Sequence, residues 1–291
     1  MNTLRIDHVT IAGRDLARLR DDLARVGFPS QYGGVHSNGV THMALIGFPD
    51  NSYLELISTC TAGQRAPWWQ AHIAGDGGLC AWAVQVGDVA GTLAHLATRG
   101  VAVRGPFAMH RDRPDGVRLE WILGYLGTGE PGTLLPFLIE DRTPRAWRVP
   151  HNAQPVTPLW GVAAVVLGVR DGADARAQFQ RAWGWERVIT ATDEHFGAHL
   201  IHFLDTPVVL AIPTATHTWL AERLARFGDT PCALLLGTRD WSAASQTYRL
   251  AEHTTWFGRR VTWFDMRALP DARQRGIVLG IIEEIDRPAL Q

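Results

Sequence analysis

The chain has 291 residues, 46% of them hydrophobic, with 28 Lys plus Arg against 29 Asp plus Glu. That apolar content suffices for more than one core, and the balanced charge gives no field to attract nucleic acid or an anionic membrane from a distance. Every cation is an arginine, since the sequence holds no lysine, which removes Schiff-base chemistry and phosphate loops of the lysine-containing kind.

The first element is IDHVTIAGRD, residues 6 to 15, an apolar run with a histidine inside it that is closed by Gly and Asp. Asp15 is placed to cap a helix whose Leu16, Leu19, Leu23 and Val26 recur at helical spacing before Gly27 stops it. Three strand-like runs follow: one near Pro29 to Tyr32, then THMALIGF (41 to 48) and SYLELIS (52 to 58), the last two joined by a turn of Pro49, Asp50 and Asn51. The opening pattern returns as LCAWAVQVGD from Leu79, with Val89, Leu93 and Leu96 ahead of Gly100. It returns as AVVLGVRD from Ala164, with Phe179 and Trp183 ahead of Gly184, and as CALLLGTRD from Cys232, with Trp241, Ala244 and Tyr248. HLIHFLD (199 to 205) and PVVLAIP (207 to 213) repeat the strand pair of the first copy.

A period of roughly 70 to 80 residues exceeds that of a solenoid, so each copy reads as one βαβββ module. Four modules fill the chain, and RTPRAWRVPHNAQPVTP (142 to 158), rich in proline and without a period, reads as a linker. A lone module leaves one sheet face open and must pair with another. The expected fold is therefore α+β, with four βαβββ modules paired into two open, cup-shaped barrels and domains at 1–145 and 159–291. Cys60, Cys80 and Cys232 are odd in number and widely spaced, and are expected as reduced, buried thiols. The longest apolar runs, such as GIVLGII, are too short to span a bilayer, and no signal-type stretch opens the sequence, so the expected location is cytoplasmic.

IDHVTIAGRDL, GGVHSNGVTHMALIGFPDNSYLELIS, RDRPDGVRLEW and LPFLIED, in that order across residues 5 to 141, resemble the vicinal oxygen chelate superfamily and its glyoxalase-like proteins. The resemblance implies paired βαβββ modules and, often, a divalent metal held by a first-strand histidine and a last-strand glutamate of each module. His8 and Glu55 stand at those places, with Glu55 also the expected catalytic carboxylate. Imidazole and carboxylate donors suit Zn, Fe, Ni or Mn. Ala81, Ala164 and Ala233 stand where His8 does in the other copies. The glutamate's counterparts fall on Pro136 or Phe137, Leu210 or Ala211, and a position near Gly280. Two ligands are too few for a firmly held metal, so His42, on the strand beside SYLELIS, is the expected third donor.

His36 lies on a Gly-rich loop, at a position the resemblance marks, and is expected to touch substrate, as against an ordinary surface histidine. Arg111 and Arg113 flank a turn at Pro114, Asp115 and Gly116, with Trp121 beyond. Guanidinium and indole groups suit an acidic or enolate-bearing ligand, although solvated hairpin arginines are the commoner outcome. Phe137 is expected to line the cup or fill it. His195, His199 and His202 look like a metal cluster until strand alternation puts His202 opposite His199. Most of the 12 tryptophans are expected in cores, with Trp68 and Trp69 an exposed pair suited to a homodimer contact. Two functions from different classes stand. One is a metal-dependent lyase, isomerase or dioxygenase acting on a small molecule in the first cup. The other is a metal-free protein that binds or sequesters an aromatic or anionic compound there. The second half, lacking polar residues at the matching places, is expected to be structural.

Overall fold

The computed structural model describes residues 4–113, 115–149, 157–265 and 276–284. The first module runs β1 (Arg5–Ala12), α1 (Leu16–Arg25), β2 (Gln31–Val35), β3 (Thr41–Gly47) and β4 (Tyr53–Thr59). A short helix, α2 (Gln70–Gly75), leads into β5 (Gly78–Gln85), α3 (Val89–Thr98), β6 (Val103–Asp112), β7 (Arg118–Leu126) and β8 (Phe137–Asp141), followed by one turn of helix, α4 (Arg145–Arg148). The third module is β9 (Leu159–Gly168), α5 (Gly172–Trp183), β10 (Val188–Asp193), β11 (Ala198–Phe203) and β12 (Val208–Pro213). After α6 (Trp219–Phe227) comes the fourth, with β13 (Thr230–Thr238), α7 (Trp241–Thr247), β14 (Thr254–Trp256), β15 (Arg259–Trp263) and β16 (Leu279–Glu283).

Each pair of modules forms one curled eight-stranded sheet, in the order β2-β3-β4-β1-β5-β8-β7-β6 and, identically, β10-β11-β12-β9-β13-β16-β15-β14. Within a module the first and last strands are parallel, and the two modules of a sheet join through their first strands, antiparallel. The expected α+β architecture of two cups is what the chain adopts. The repeated aspartate earns its place in all four copies: Asp15, Asp88, Asp171 and Asp240 each accept backbone N–H groups of the helix they precede. Such a cap is worth roughly 0.5–2 kcal/mol. Strand bounds differ from the expected runs by one to three residues; α2 and α4, at six and four residues, are too short for a periodic signal, whereas α6 carries a Thr218 cap and buried Leu220 and Leu224 at helical spacing that the expected modules did not include.

The segment expected to be a linker is only partly one. Arg148 and Val149 are buried against the first cup, because Arg148 is bound by two carboxylates of that cup, while residues 150–156 lie outside the described residues. The halves share a core. Ile6, Val9 and Ile11 of β1 and Leu79 of β5 belong to the same apolar cluster as Val165 and Leu167 of β9 and Leu234 and Leu236 of β13. Arg223 of α6 fastens the junction, donating to the carbonyls of Gly77, Leu79 and Pro231.

Burial bears on the cysteines as well. Cys80 and Cys232 are buried free thiols, and burial pushes the Cys232 thiol up to about 12, too high for a nucleophile. Cys60 is also free but exposed, contrary to expectation, because it follows the last cup-facing position of β4. Trp69 is buried and its indole donates to the carbonyl of Pro131 at 2.9 Å. Together with Trp68 it lines the first cup, so this pair is not the exposed dimer contact that was expected.

Candidate functional site

The concave face of the first sheet encloses a cavity of about 80 Å³. Residues of β3 face it alternately, Thr41, Met43 and Leu45, as do Tyr53, Glu55 and Ile57 of β4, as strand alternation requires. The far wall is Met109 and Arg111 of β6, Trp121, Leu123 and Tyr125 of β7, and Phe137 and Ile139 of β8. At one end of this apolar chamber sits a polar cluster.

His8 is 3% exposed and Glu55 8%, so neither reaches water freely. His8 Nδ1 lies 2.6 Å from Asp7 Oδ1, and His8 Nε2 lies 3.8 Å from Glu55 Oε2. The other carboxylate oxygen of Glu55 is 3.3 Å from His36 Nε2, and Thr10 donates to Oε2 at 3.1 Å. His36 Nδ1 lies 2.8 Å from Thr41 Oγ1, and Asn38 accepts the N–H groups of Val40 and Thr41, which shapes the loop that carries His36. The result is a continuous line of side chains, Asp7, His8, Glu55, His36. Burial alone would raise the Glu55 pKa, but the His36 hydrogen bond and the nearby His8 outweigh it and bring the carboxyl down to about 2.

Asp7 comes beside His8, behind the cup lining, because β1 bulges there. Ile6 pairs with Val84 and His8 with Ala83, leaving Asp7 as the extra residue. Its carboxylate is fully buried and receives Arg148 through two bonds, at 3.0 and 2.9 Å, with Arg145 donating as well. Burial opposes ionisation of Asp7, yet the Arg148 guanidinium holds it well below the usual carboxylate range. Arg148 also binds Asp141 at 2.6 and 3.0 Å and the Tyr53 hydroxyl at 2.8 Å. The Tyr53 ring stacks on His8 at 4.6 Å and 21°, and Phe137 meets it edge-on at 5.3 Å. One face and one nitrogen of the His8 ring are thus fixed, with Phe137 packed beside it.

The other expected site residues divide by the face they occupy. Arg111, Trp121 and Phe137 line the cup. Arg111 is 2% exposed, donates to the carbonyl of Gly33, and keeps a buried Nε with no hydrogen-bond partner. Arg113 lies outside the cup, paired with Asp115 and donating to the carbonyl of Trp147; it is two residues past Arg111, where β6 has ended and the turn has turned outward. Pro114 lies outside the described residues. His42 sits between the cup-facing Thr41 and Met43, so it points to the opposite side, opposite Ser58. The donor set His8, His42 and Glu55 is therefore not gathered. Among the described residues no group of three or more His, Cys, Asp or Glu side chains is arranged to hold a metal ion. As they stand, these residues do not fit the expected divalent metal.

Register also locates the counterparts of Glu55. Glu55 pairs with Thr10, two residues past His8, and the matching pairs are Ala83 with Phe137, Val166 with Val209, and Leu235 with Gly280. Phe137 and Gly280 fall where the sequence put them. The third-module counterpart is Val209 rather than Leu210 or Ala211. His199 and His202 lie apart, the first beside Thr192 and the second donating to the Thr206 carbonyl.

Residues 6–183, more than half of the chain, match the family profile described as a glyoxalase-like domain, and the chain belongs to that family. Its fold is that of the vicinal oxygen chelate superfamily. A hypothetical protein from Staphylococcus aureus superposes with a TM-score of 0.62 at 13% identity, over 97% of this chain and 100% of that one. A mutant 4-hydroxymandelate synthase from Streptomyces coelicolor superposes with a TM-score of 0.62 at 9% identity, over 97% and 93%. At such identities the likeness concerns the fold alone. No curated protein matches the chain. Among the described residues no helix is long and apolar enough to cross a membrane.

Proposed function

We propose that the first cup binds a small organic acid or oxo compound and moves a proton on it. The observation that carries this reading is the line Asp7, His8, Glu55, His36 at the end of an apolar chamber that also holds Arg111. A carboxylate held at about 2 is a weak base, so it is better suited to stabilising a cation than to taking a proton alone. His8, with Nδ1 engaged by Asp7, presents Nε2 toward the cup and accepts the proton from a carbon next to a carbonyl. Glu55 stabilises the imidazolium that forms, in the manner of a carboxylate–imidazole pair. The electron pair left on the substrate passes to its oxygen, which Arg111 meets with a guanidinium that has an N–H to spare. Return of the proton from His8 to the other face of that carbon or to a neighbouring atom completes an isomerisation.

A cavity of about 80 Å³ has room for on the order of five to eight water-sized groups, which favours a compact substrate. Carbon–proton exchange in deuterated buffer tests the reading: a panel of short 2-oxo acids should lose proton signals by NMR with wild-type protein and keep them with His8→Ala. Binding of panel members without any exchange would instead favour the metal-free binding protein.

A second reading is that of a metal-dependent enzyme. It is favoured by the two imidazole nitrogens, His8 Nε2 and His36 Nε2, facing the two oxygens of Glu55 at 3.8 and 3.3 Å. His36, on its loop, would then move in as the third donor in place of His42, to hold Zn, Fe, Ni or Mn. About one metal ion per chain, lost on His36→Ala, would establish it; a metal content near zero in active protein would end it.

A further inference from the structure

The second sheet has a cup of its own, and it is only partly filled. Phe196 plugs one side, stacked on Trp263 at 5.1 Å and edge-on to Trp256 at 5.2 Å and Trp219 at 5.1 Å. Beside that plug lies a cleft of about 600 Å³, within the range of small-molecule sites. Its lining includes Ala164 and Val209, the register counterparts of His8 and Glu55. The cleft therefore occupies the same place in the second sheet as the polar cluster does in the first. Leu235, Trp256 and Ile282 complete a floor of apolar side chains that can hold a molecule, and the one histidine of the lining, His202, has its Nε2 committed to the Thr206 carbonyl at 3.0 Å.

The rim is different. Trp160 is 42% exposed, with the Arg239 guanidinium 4.7 Å above its ring. Phe257 also lines the cleft and has φ 53°, in a two-residue hairpin turn closed by Gly258 at φ 79°. That turn ordinarily takes Asn before Gly, so an aromatic residue held there in a left-handed conformation is a feature kept against local preference. Arg5 comes from the first half and donates to the backbone carbonyl of Asp50 at 3.1 Å. Three carboxylates line the rim: Asp205 lies 4.0 Å from Arg187, Glu284 lies 3.8 Å from Arg239, and Asp50 accepts from the Ser52 hydroxyl at 2.6 Å with Arg5 near it.

We propose that this cleft is a second, non-catalytic binding site for an organic anion with a flat apolar body, such as an aryl carboxylate or sulfonate. The floor takes the apolar body, Trp160 and Phe257 flank it, and Arg5 meets the acidic group at the edge. Arg5 and Ile6 of the cleft directly precede Asp7 and His8 in β1, so an occupant touches the strand that carries the first cup's cluster.

Binding of anilinonaphthalene sulfonate to the full chain, followed by fluorescence and calorimetry, tests this. The expected result is one dye per native chain, with affinity weakened at least threefold by Trp160→Ala and by Arg5→Ser, both exposed changes that leave thermal unfolding intact. Ala164→Trp, which fills the floor, should abolish binding. Wild-type affinity in Trp160→Ala and Arg5→Ser, or a dye that follows Met43→Trp in the first cup instead, would overturn the proposal.

Discussion

His8 Nδ1 stands 2.6 Å from the carboxylate of Asp7, its own neighbour in the strand, because a bulge turns both side chains to one face. Two arginines from the far end of the first half, Arg145 and Arg148, close over that carboxylate. In its neutral form the imidazole is thereby held with its proton on Nδ1 and its lone pair on Nε2. Asp7→Asn leaves the Arg148 guanidinium buried against one fewer charge, which costs about 3–5 kcal/mol in comparable pairs. Urea unfolding should show that loss, and nitrogen NMR should show neutral His8 moving toward the Nε2–H tautomer. An unchanged tautomer would contradict the role given to Asp7.

Glu55 makes stability depend on acid. Its pKa is about 2 folded against 4.5 for an ordinary glutamate, so the unfolded chain binds the proton first as pH falls. The stabilisation is present in full above pH 4.5 and is lost as pH drops toward 2. At about 1.4 kcal/mol per unit this is on the order of 3 kcal/mol. Glu55→Gln should be less stable than wild type at pH 7, with the two curves converging by pH 2 to 3.

His72 makes a different signature at the junction of the halves. It is stacked on Phe227 at 4.5 Å and lies 3.4 Å from Thr230 Oγ1. Burial, with the charges of Arg223 and Arg226, lowers its pKa to about 3. A histidine kept neutral when folded takes a proton only on unfolding, so stability falls as pH goes from 6.5 toward 3, by about 1.4 kcal/mol per unit. His72→Phe should flatten the dependence of the melting temperature on pH between 7 and 4.5. An identical pH slope in the variant would show that His72 is not responsible.

Arg111 should govern anion affinity in the first cup. Hydrogen bonds to charged groups are worth about 1.5–3 kcal/mol, so Arg111→Gln should weaken binding of a short carboxylate by roughly 10- to 100-fold, read by calorimetry. Arg113→Gln, outside the cup, should leave that affinity unchanged.

The sequence made the modules legible because strand periodicity and an aspartate cap recur four times and a stop glycine three times, and each has a local physical cause. His8, Glu55, His36, Arg111, Trp121 and Phe137 were legible as cup residues through alternation and through the family resemblance. Asp7 was not, since a bulge is set by pairing with β5 and plain alternation would have sent it away from His8. Arg148 was hidden in a stretch that reads as linker, and its partner Asp7 is 141 residues distant. His42 was misplaced by one residue of strand phase, the smallest error alternation permits and one that reverses the face.

The most direct test of proton transfer by the imidazole–carboxylate line is carbon–proton exchange measured on protein stripped of metal by a chelator, with His8→Ala beside it. Exchange should survive chelation and disappear in the variant. Exchange that needs an added divalent ion, or that persists without His8, would contradict the account.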